Sequence, residues 1–194
     1  MKADGIKRVT EALRDRLKVA LSMSGVPGTV FVGPLDDPDA SGAALVLFLY
    51  RIVPNANLRN SSHRVLSANP SPSVEVFENS MPLDLYFLLT VGTTPNSSEE
   101  SMLLALGFAI QLIQAAPELT GSSVNHETVR LTFEPLSTEE ASRIWALFPT
   151  ANYRTSVAYL ATPVWLDPAA PLPVAAPVIE QQLNAGYKSG EATQ

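Results

Sequence analysis

Apolar positions along the first 22 residues recur at helical spacing. Ile6, Val9, Leu13, Leu17, Ala20 and Leu21 fall on one stripe, and the charged residues between them face away. Gly25, Pro27 and Gly28 end that helix, and Thr29 to Val32 reads as a short strand before the acidic turn Asp36-Asp37-Pro38-Asp39. Ala43 to Val53 is nearly continuous apolar sequence, which predicts a central strand buried on both faces and stopped by Pro54. Residues 83 to 91 alternate, with Leu83, Leu85, Phe87, Leu89 and Val91 on one face. A helix is expected from Ser97, whose hydroxyl caps while Glu100 reaches back, and its run Met102 to Ala116 reads as buried. Thr128 to Glu134 predicts a half-buried strand with Val129, Leu131 and Phe133 inward. Ser137 with Glu140 predicts a second capping box, opening a helix with Ala141, Ile144 and Phe148 on one face. Residues 154 to 166 form the last strand, in which Pro163 marks an edge or a bulge.

This order of elements predicts an α/β (α+β) fold, a single mixed or antiparallel sheet flanked by helices. The expected organisation is one domain over residues 1–167, with a long loop or arm at 54–82 rich in Asn, Ser and Pro, in which residues 74–77 extend as part of a hairpin. Residues 168–194 form a Pro/Ala-rich extension that reads as a semi-rigid linker.

Composition narrows the functions. With 46% hydrophobic and 16% charged residues, the chain can build a substantial core. A net charge of −6 argues against general nucleic-acid binding, which depends on neutralising phosphates with Lys and Arg. The basic residues gather in the first helix, a pattern that fits a solvated face or docking to an acidic partner. Having no cysteine removes disulfides, thiolate metal sites and cysteine nucleophiles. The first residues are charged and lack the apolar core of a secretion signal, and Met102 to Ala116 is too short to span a bilayer.

Candidate chemistry is sparse. His63 and His126 have no ligand partner at helical or strand spacing, and a structural or surface role is expected for both. Asp36, Asp37 and Asp39 lack the glycine and distal glutamate of a calcium loop. Glu99–Glu100 and Glu139–Glu140 fall in first helical turns, where they complement the helix dipole. Neither a phosphate-cradling Gly-Lys-Ser/Thr sequence nor a Gly-x-Ser-x-Gly elbow is present. The expectation is no enzyme, no cofactor and no metal. More informative are charges set in apolar strands: Arg51, Asp84 and Arg154. Burying a charge is unfavourable unless it is paired, so each needs a partner within the domain or across a subunit boundary.

These segments carry a resemblance. Tyr50-Arg51-Ile52-Val53-Pro54-Asn55 with Asn57-Leu58-Arg59-Asn60, Pro82 to Thr90, Pro135 to Trp145, and Tyr153 to Tyr159 occur in the order and approximate spacing of cap proteins of extracellular contractile injection systems. The chain resembles that tail-terminator family over roughly residues 5–167. The helix beginning Glu100-Ser101-Met102-Leu103-Leu104 departs from the pattern. The resemblance implies a structural cap: a homohexamer that ends the inner tube and sheath of the particle and stops their polymerisation. Implied partners are the inner tube and sheath proteins, with no nucleic acid and no membrane insertion. Assembly is expected in the cytoplasm, within an injection particle that can be released. Arg51, Asn57, Arg59, Asp84 and Arg154 are the expected contact residues. The competing expectation is a non-enzymatic α/β adaptor domain that binds a small ligand or peptide.

Overall fold

The structure is a computed structural model that describes residues 3–67, 73–95 and 97–169. The amphipathic opening forms α1 (Gly5–Ser24), with Val9, Leu13, Leu17, Ala20 and Leu21 buried as the spacing predicts. Gly25 closes it in the left-handed conformation that favours glycine (φ 69°). Strands β1 (Thr29–Val32) and β2 (Ala43–Pro54) follow, then β3 (His63–Ser67), β4 (Ser73–Phe77) and β5 (Met81–Val91). Helix α2 (Glu99–Ala115), strands β6 (Glu118–Leu119) and β7 (Val129–Glu134), helix α3 (Thr138–Trp145) and strand β8 (Ser156–Leu166) complete the order.

Six strands form one mixed sheet in the order β1-β2-β5-β8-β7-β6, and β3 pairs with β4 as a separate antiparallel hairpin. The β1–β2 pair is parallel and the other pairs are antiparallel. The fold is therefore α+β as expected, and the expected hairpin within the 54–82 arm contains both β3 and β4.

Alternation along the strands divides the core. Leu45, Leu47, Leu85, Phe87, Leu89, Tyr159 and Ala161 turn toward α1 and α2, whose Leu13, Leu17, Leu106 and Ile113 meet them. On the opposite face Leu88 packs with Ile144 and Phe148 against Phe48 and Tyr50. Phe48 and Phe148 meet edge to face at 5.1 Å. Each fully buried Leu or Phe contributes about 1.5–3 kcal/mol, so the α1/α2 side supplies most of the hydrophobic stabilisation.

Three local expectations need correction. β2 is buried from Ala43 to Leu47, but Arg51 and Ile52 are exposed. The register against β5 slips between Leu49 and Arg51, and this bulge carries the strand past the helices that would cover it. The cap of α2 is Ser98, not Ser97; its hydroxyl accepts from the Ser101 backbone N–H, so Glu100 closes no capping box. Helix α2 is also not buried all round. Met102, Ala105, Leu106, Ala109 and Ile113 face inward while Leu103 and Leu104 are 42% and 52% exposed, because α2 lies on the molecular surface.

Pro163 lies in β8 one residue past Thr162, the last to pair with β7, so from there on β8 has a strand neighbour on the β5 side only, a local edge as well as a bulge. There the pairing steps from Leu83↔Val164 to Leu85↔Ala161, and the extra residue makes the bulge that accommodates a proline. The second capping box forms as predicted: the Ser137 hydroxyl accepts from the Glu140 N–H, and the Glu140 carboxylate accepts from the Ser137 N–H and hydroxyl. Those hydrogen bonds hold the Glu140 carboxyl below the usual glutamate range. A depressed folded-state value means that this stabilisation is present above the ordinary glutamate pKa and is lost as pH falls through the lowered one. Ser137→Ala is expected to reduce stability by about 1 kcal/mol in urea melts at neutral pH, with the deficit shrinking under acidic conditions.

Candidate interaction surfaces

The basic face of α1 is largely engaged within the chain. Lys7 pairs with Glu11, Arg8 with Asp4, and Arg14 and Lys18 both with Asp15. The Arg16 guanidinium donates to the carbonyls of Ala116 and Glu118, tying α1 to the C-terminal end of α2. These local pairs account for the positive charge as a solvated helix face.

The five expected contact residues divide between two ends of the sheet. At the β2–β5 end, Arg51 is exposed with its guanidinium 5.1 Å over the Tyr86 ring. The bulge brings Tyr50 to that ring as well, at 6.1 Å. Burial, with the nearby Glu134 carboxylate adding, pushes the Tyr50 hydroxyl up to about 12. Asn57 and Arg59 are exposed in the turn that follows β2. There the Asn55 side chain accepts from the backbone N–H groups of Asn57 and Leu58 at 3.0 and 3.1 Å.

Asp84 is half-buried and satisfied inside the chain. Its Oδ1 accepts from Asn55 Nδ2 at 2.9 Å and from Thr162 Oγ1 at 2.5 Å. Neutral donors therefore serve it, not a cation. Asp84→Ala removes the acceptor both donors share, leaving Asn55 Nδ2 with Thr162 Oγ1 at 3.2 Å, and is expected to lower stability by about 1–2 kcal/mol. Asp84→Asn retains an acceptor and is expected to lose less than half as much in the same denaturant series.

Arg154 lies at the other end, before β8, and donates to the Gly92 carbonyl. It borders a cleft of about 270 Å³ together with Asp36, Asp37, Ser41, Thr93 and Asn152. The acidic turn is not arranged as a calcium loop. Asp37 Oδ1 accepts from the Asp39 N–H at 2.9 Å and caps the short 3-10 turn Pro38–Ala40. Thus Arg51, Asn57, Arg59 and Asp84 share a neighbourhood of chain, and Arg154 does not join them.

Strand edges at both sides of the sheet are open among the described residues. β1 borders β2 alone, and β6 covers just Arg130 and Val129 of β7, leaving residues 132–134 with a strand neighbour on the β8 side only. Phe133, expected inward, is 42% exposed although it meets Tyr159 edge-on at 5.7 Å. It lies past the end of β6, in the stretch of β7 paired on the β8 side only. Open edges of this kind accept a strand from another chain.

Spacing along the sequence did not reveal a polar cluster at the root of the hairpin. His63, at the start of β3, stacks on Trp165 of β8 at 4.5 Å with an 8° tilt. Its Nδ1 is 2.7 Å from Asp167 Oδ1, which also accepts from Ser80 Oγ at 2.7 Å. Its Nε2 is 3.8 Å from Glu127 Oε2. The three side chains are 9%, 9% and 4% exposed for His63, Glu127 and Asp167. Burial raises the Glu127 carboxyl above its ordinary value. At Asp167 burial pushes the same way, but hydrogen bonds, those from Ser80 and His63 among them, win and hold it low.

The chain belongs to the Pvc16 N-terminal domain family, whose profile matches residues 8–180. This confirms the family expected from the four resembling segments. Among solved structures, the chain is similar to the sheath/tube terminator, in its extended state, of the extracellular contractile injection system PVC. That match has 13% identity and a TM-score of 0.59, and covers 96% of this chain and 65% of the other. It is also similar to the tube-terminating cap of the anti-feeding prophage, with 17% identity, a TM-score of 0.57, and coverage of 96% and 60%. The chain spans less than two thirds of the length of either protein. At these identities the likeness establishes a shared fold. No curated protein matches the sequence.

Proposed function

We propose that this chain is a tail terminator: a structural, non-catalytic cap that forms a homohexameric ring on the end of the inner tube and sheath of a contractile injection particle and stops their polymerisation. The observation that carries this reading is the fold itself, shared over 96% of the chain with a sheath/tube terminator and with a tube-terminating cap. The open edges of β1 and β7 support it physically. A tube grows by repeating one head-to-tail contact, and a ring of heterologous contacts closes on itself and ends the repeat. Residues 1–167 form the terminator domain, with the 54–82 arm and the 168–194 extension as the segments that reach neighbours. Arg51, Asn57, Arg59 and Arg154 present charge or amide groups for those contacts, and Asp84 acts from within by holding the β2–β5 end in shape. No helix among the described residues is long and apolar enough to cross a membrane. Assembly takes place in the cytoplasm as part of a particle that can be released.

Electron microscopy of particles from cells with and without the gene tests the reading. Deletion is expected to give overlong or unsheathed tubes without capped ends. Particles of normal length after deletion, together with a strictly monomeric chain in sedimentation at high concentration, overturn it.

A further inference from the structure

We propose that in the unassembled chain residues 178–187 fold back as a short helix onto the exposed face of α2 of the same molecule, antiparallel to it. The inference is independent of the terminator reading, in which the same extension reaches a neighbour once a ring forms.

The exposed face of α2 lacks the charges that usually solvate a surface helix. From Ser101 to Ala116 the sequence carries no charged residue, whereas the outer face of α1 is laced with ion pairs. Leu103 and Leu104 are largely exposed. Gly107 and Gln111 continue the same stripe one and two turns further on, and a Cβ at Gly107 would meet nothing within 4 Å. The face is an apolar strip with an open notch at its middle.

The chain holds a segment of matching pattern. Residues 170–194 lie outside the described residues. Within them Ile179, Leu183 and Tyr187 recur at the spacing of one helical stripe, after Pro177, a residue suited to a first helical turn. The stretch 168–177 contains Pro168, Pro171, Pro173 and Pro177, and in extended polyproline form it spans about 30 Å.

The position of Asp167 sets the point of entry. Glu118, just past α2, pairs with Arg130, and Arg130 pairs on its other side with Thr162 of β8. Two strand spacings across, and the run from Thr162 to Asp167 along β8, separate Asp167 from the C-terminal end of α2 by about 20–25 Å. That is within the linker's reach. The start of α2 lies at the opposite end of the sheet, where the Thr94 hydroxyl meets Met102 and Thr90 of β5 pairs with Ser156. A segment arriving from Asp167 therefore meets Gln111 first and runs toward Glu99 and Glu100. With Ile179 beside Gln111, the antiparallel register sets Leu183 over the notch at Gly107 and Tyr187 beside Leu103. Lys188, the only basic residue of the extension, then reaches Glu99 and Glu100 in the acidic first turn of α2. Chain length, point of entry and charge agree on one occupant and one direction.

Because the chain has no cysteine, a single introduced thiol reports on this face. The test compares how fast fluorescein maleimide labels Gln111→Cys in the full chain and in the same chain carrying Ile179→Asp and Leu183→Asp, at submicromolar concentration. A tethered segment has an effective concentration in the millimolar range, so an intrinsic affinity of about 0.1 mM leaves about one chain in ten open. The intact extension should accordingly slow labelling about tenfold. Lys188→Glu should remove part of that protection, and adding Glu99→Lys and Glu100→Lys should restore it. Ser142→Cys on α3 should label at one rate with either extension, and circular dichroism checks that each variant is folded. Equal labelling of Gln111→Cys with the intact and the altered extension overturns the proposal, as does protection that Lys188→Glu leaves unchanged. Mixing identifies the copy. If excess cysteine-free chain with an intact extension protects Gln111→Cys in the altered background, the occupant is a second copy's extension and the proposal fails.

Discussion

Gly92→Ala is expected to destabilise this protein more than most single substitutions, with a loss of about 3 kcal/mol or more. Gly92 follows β5 and donates its N–H to the Ala44 carbonyl at 2.9 Å. A Cβ built there falls deep inside contact distance of the Ala43 carbonyl oxygen and 2.7 Å from its carbon. Both atoms belong to the backbone of β2, so no side-chain rotation relieves the clash. The strands must part where the Gly42 N–H meets the Thr93 carbonyl and where Arg154 holds the Gly92 carbonyl. For a domain of this size the loss corresponds to a fall in melting temperature of roughly 6–12 °C. Gly107 in α2 is the control. Nothing lies within 4 Å of a Cβ there, and Gly107→Ala should stabilise by about 0.5–1 kcal/mol. If Gly92→Ala melts within a degree of the parent, β2 and β5 do not approach as described.

Phe87→Ala is expected to remove about 3–5 kcal/mol. Phe87 is fully buried in β5, between partners Leu49 on β2 and Tyr159 on β8, and it faces the helices. Central strand neighbours on both sides and a helix layer above leave little room for collapse into the vacated volume. Guanidinium denaturation at low protein concentration is the appropriate measurement, because assembly into a ring would add concentration-dependent stability to both proteins. A loss below 1 kcal/mol would mean that the space refills, and that the α1/α2 side of the core is more plastic than its packing suggests.

Elements that repeat a simple period are legible in the amino-acid sequence alone. α1, β5, β7 and α3 follow from stripes, alternation and a capping box, since one element and one buried face decide each pattern. Features requiring a second element are not. α2 is apolar on most sides, and nothing in its own sequence says that Leu103 and Leu104 face outward. Ser97 and Ser98 are adjacent hydroxyls with equal claim to the cap. Ser98 takes it through the Ser101 N–H and hydroxyl, both of which its side chain reaches. Charged residues in strands do locate special backbone: Arg51 borders a bulge and Asp84 lies opposite another. Which end of the sheet each occupies depends on strand order, which the sequence does not state. The His63 cluster is hidden because its members are separated by dozens of residues, His63 and Asp167 by 104, and only the folded chain brings them together.

The β3–β4 arm leaves and re-enters the sheet through neighbouring strands. Pro54 pairs with Leu83, and the Asn55 N–H donates to the Pro82 carbonyl at 2.8 Å. Its two roots are thus already held side by side by the sheet itself. Lengthening a connection whose ends are fixed in this way adds only about 0.6 kcal/mol per doubling of length. The arm is therefore a natural point of exchange, where related chains can differ widely in length while the sheet keeps its register. A foreign peptide or a small reporter domain spliced between its strands would be carried by the chain at one defined position without disturbing the sheet.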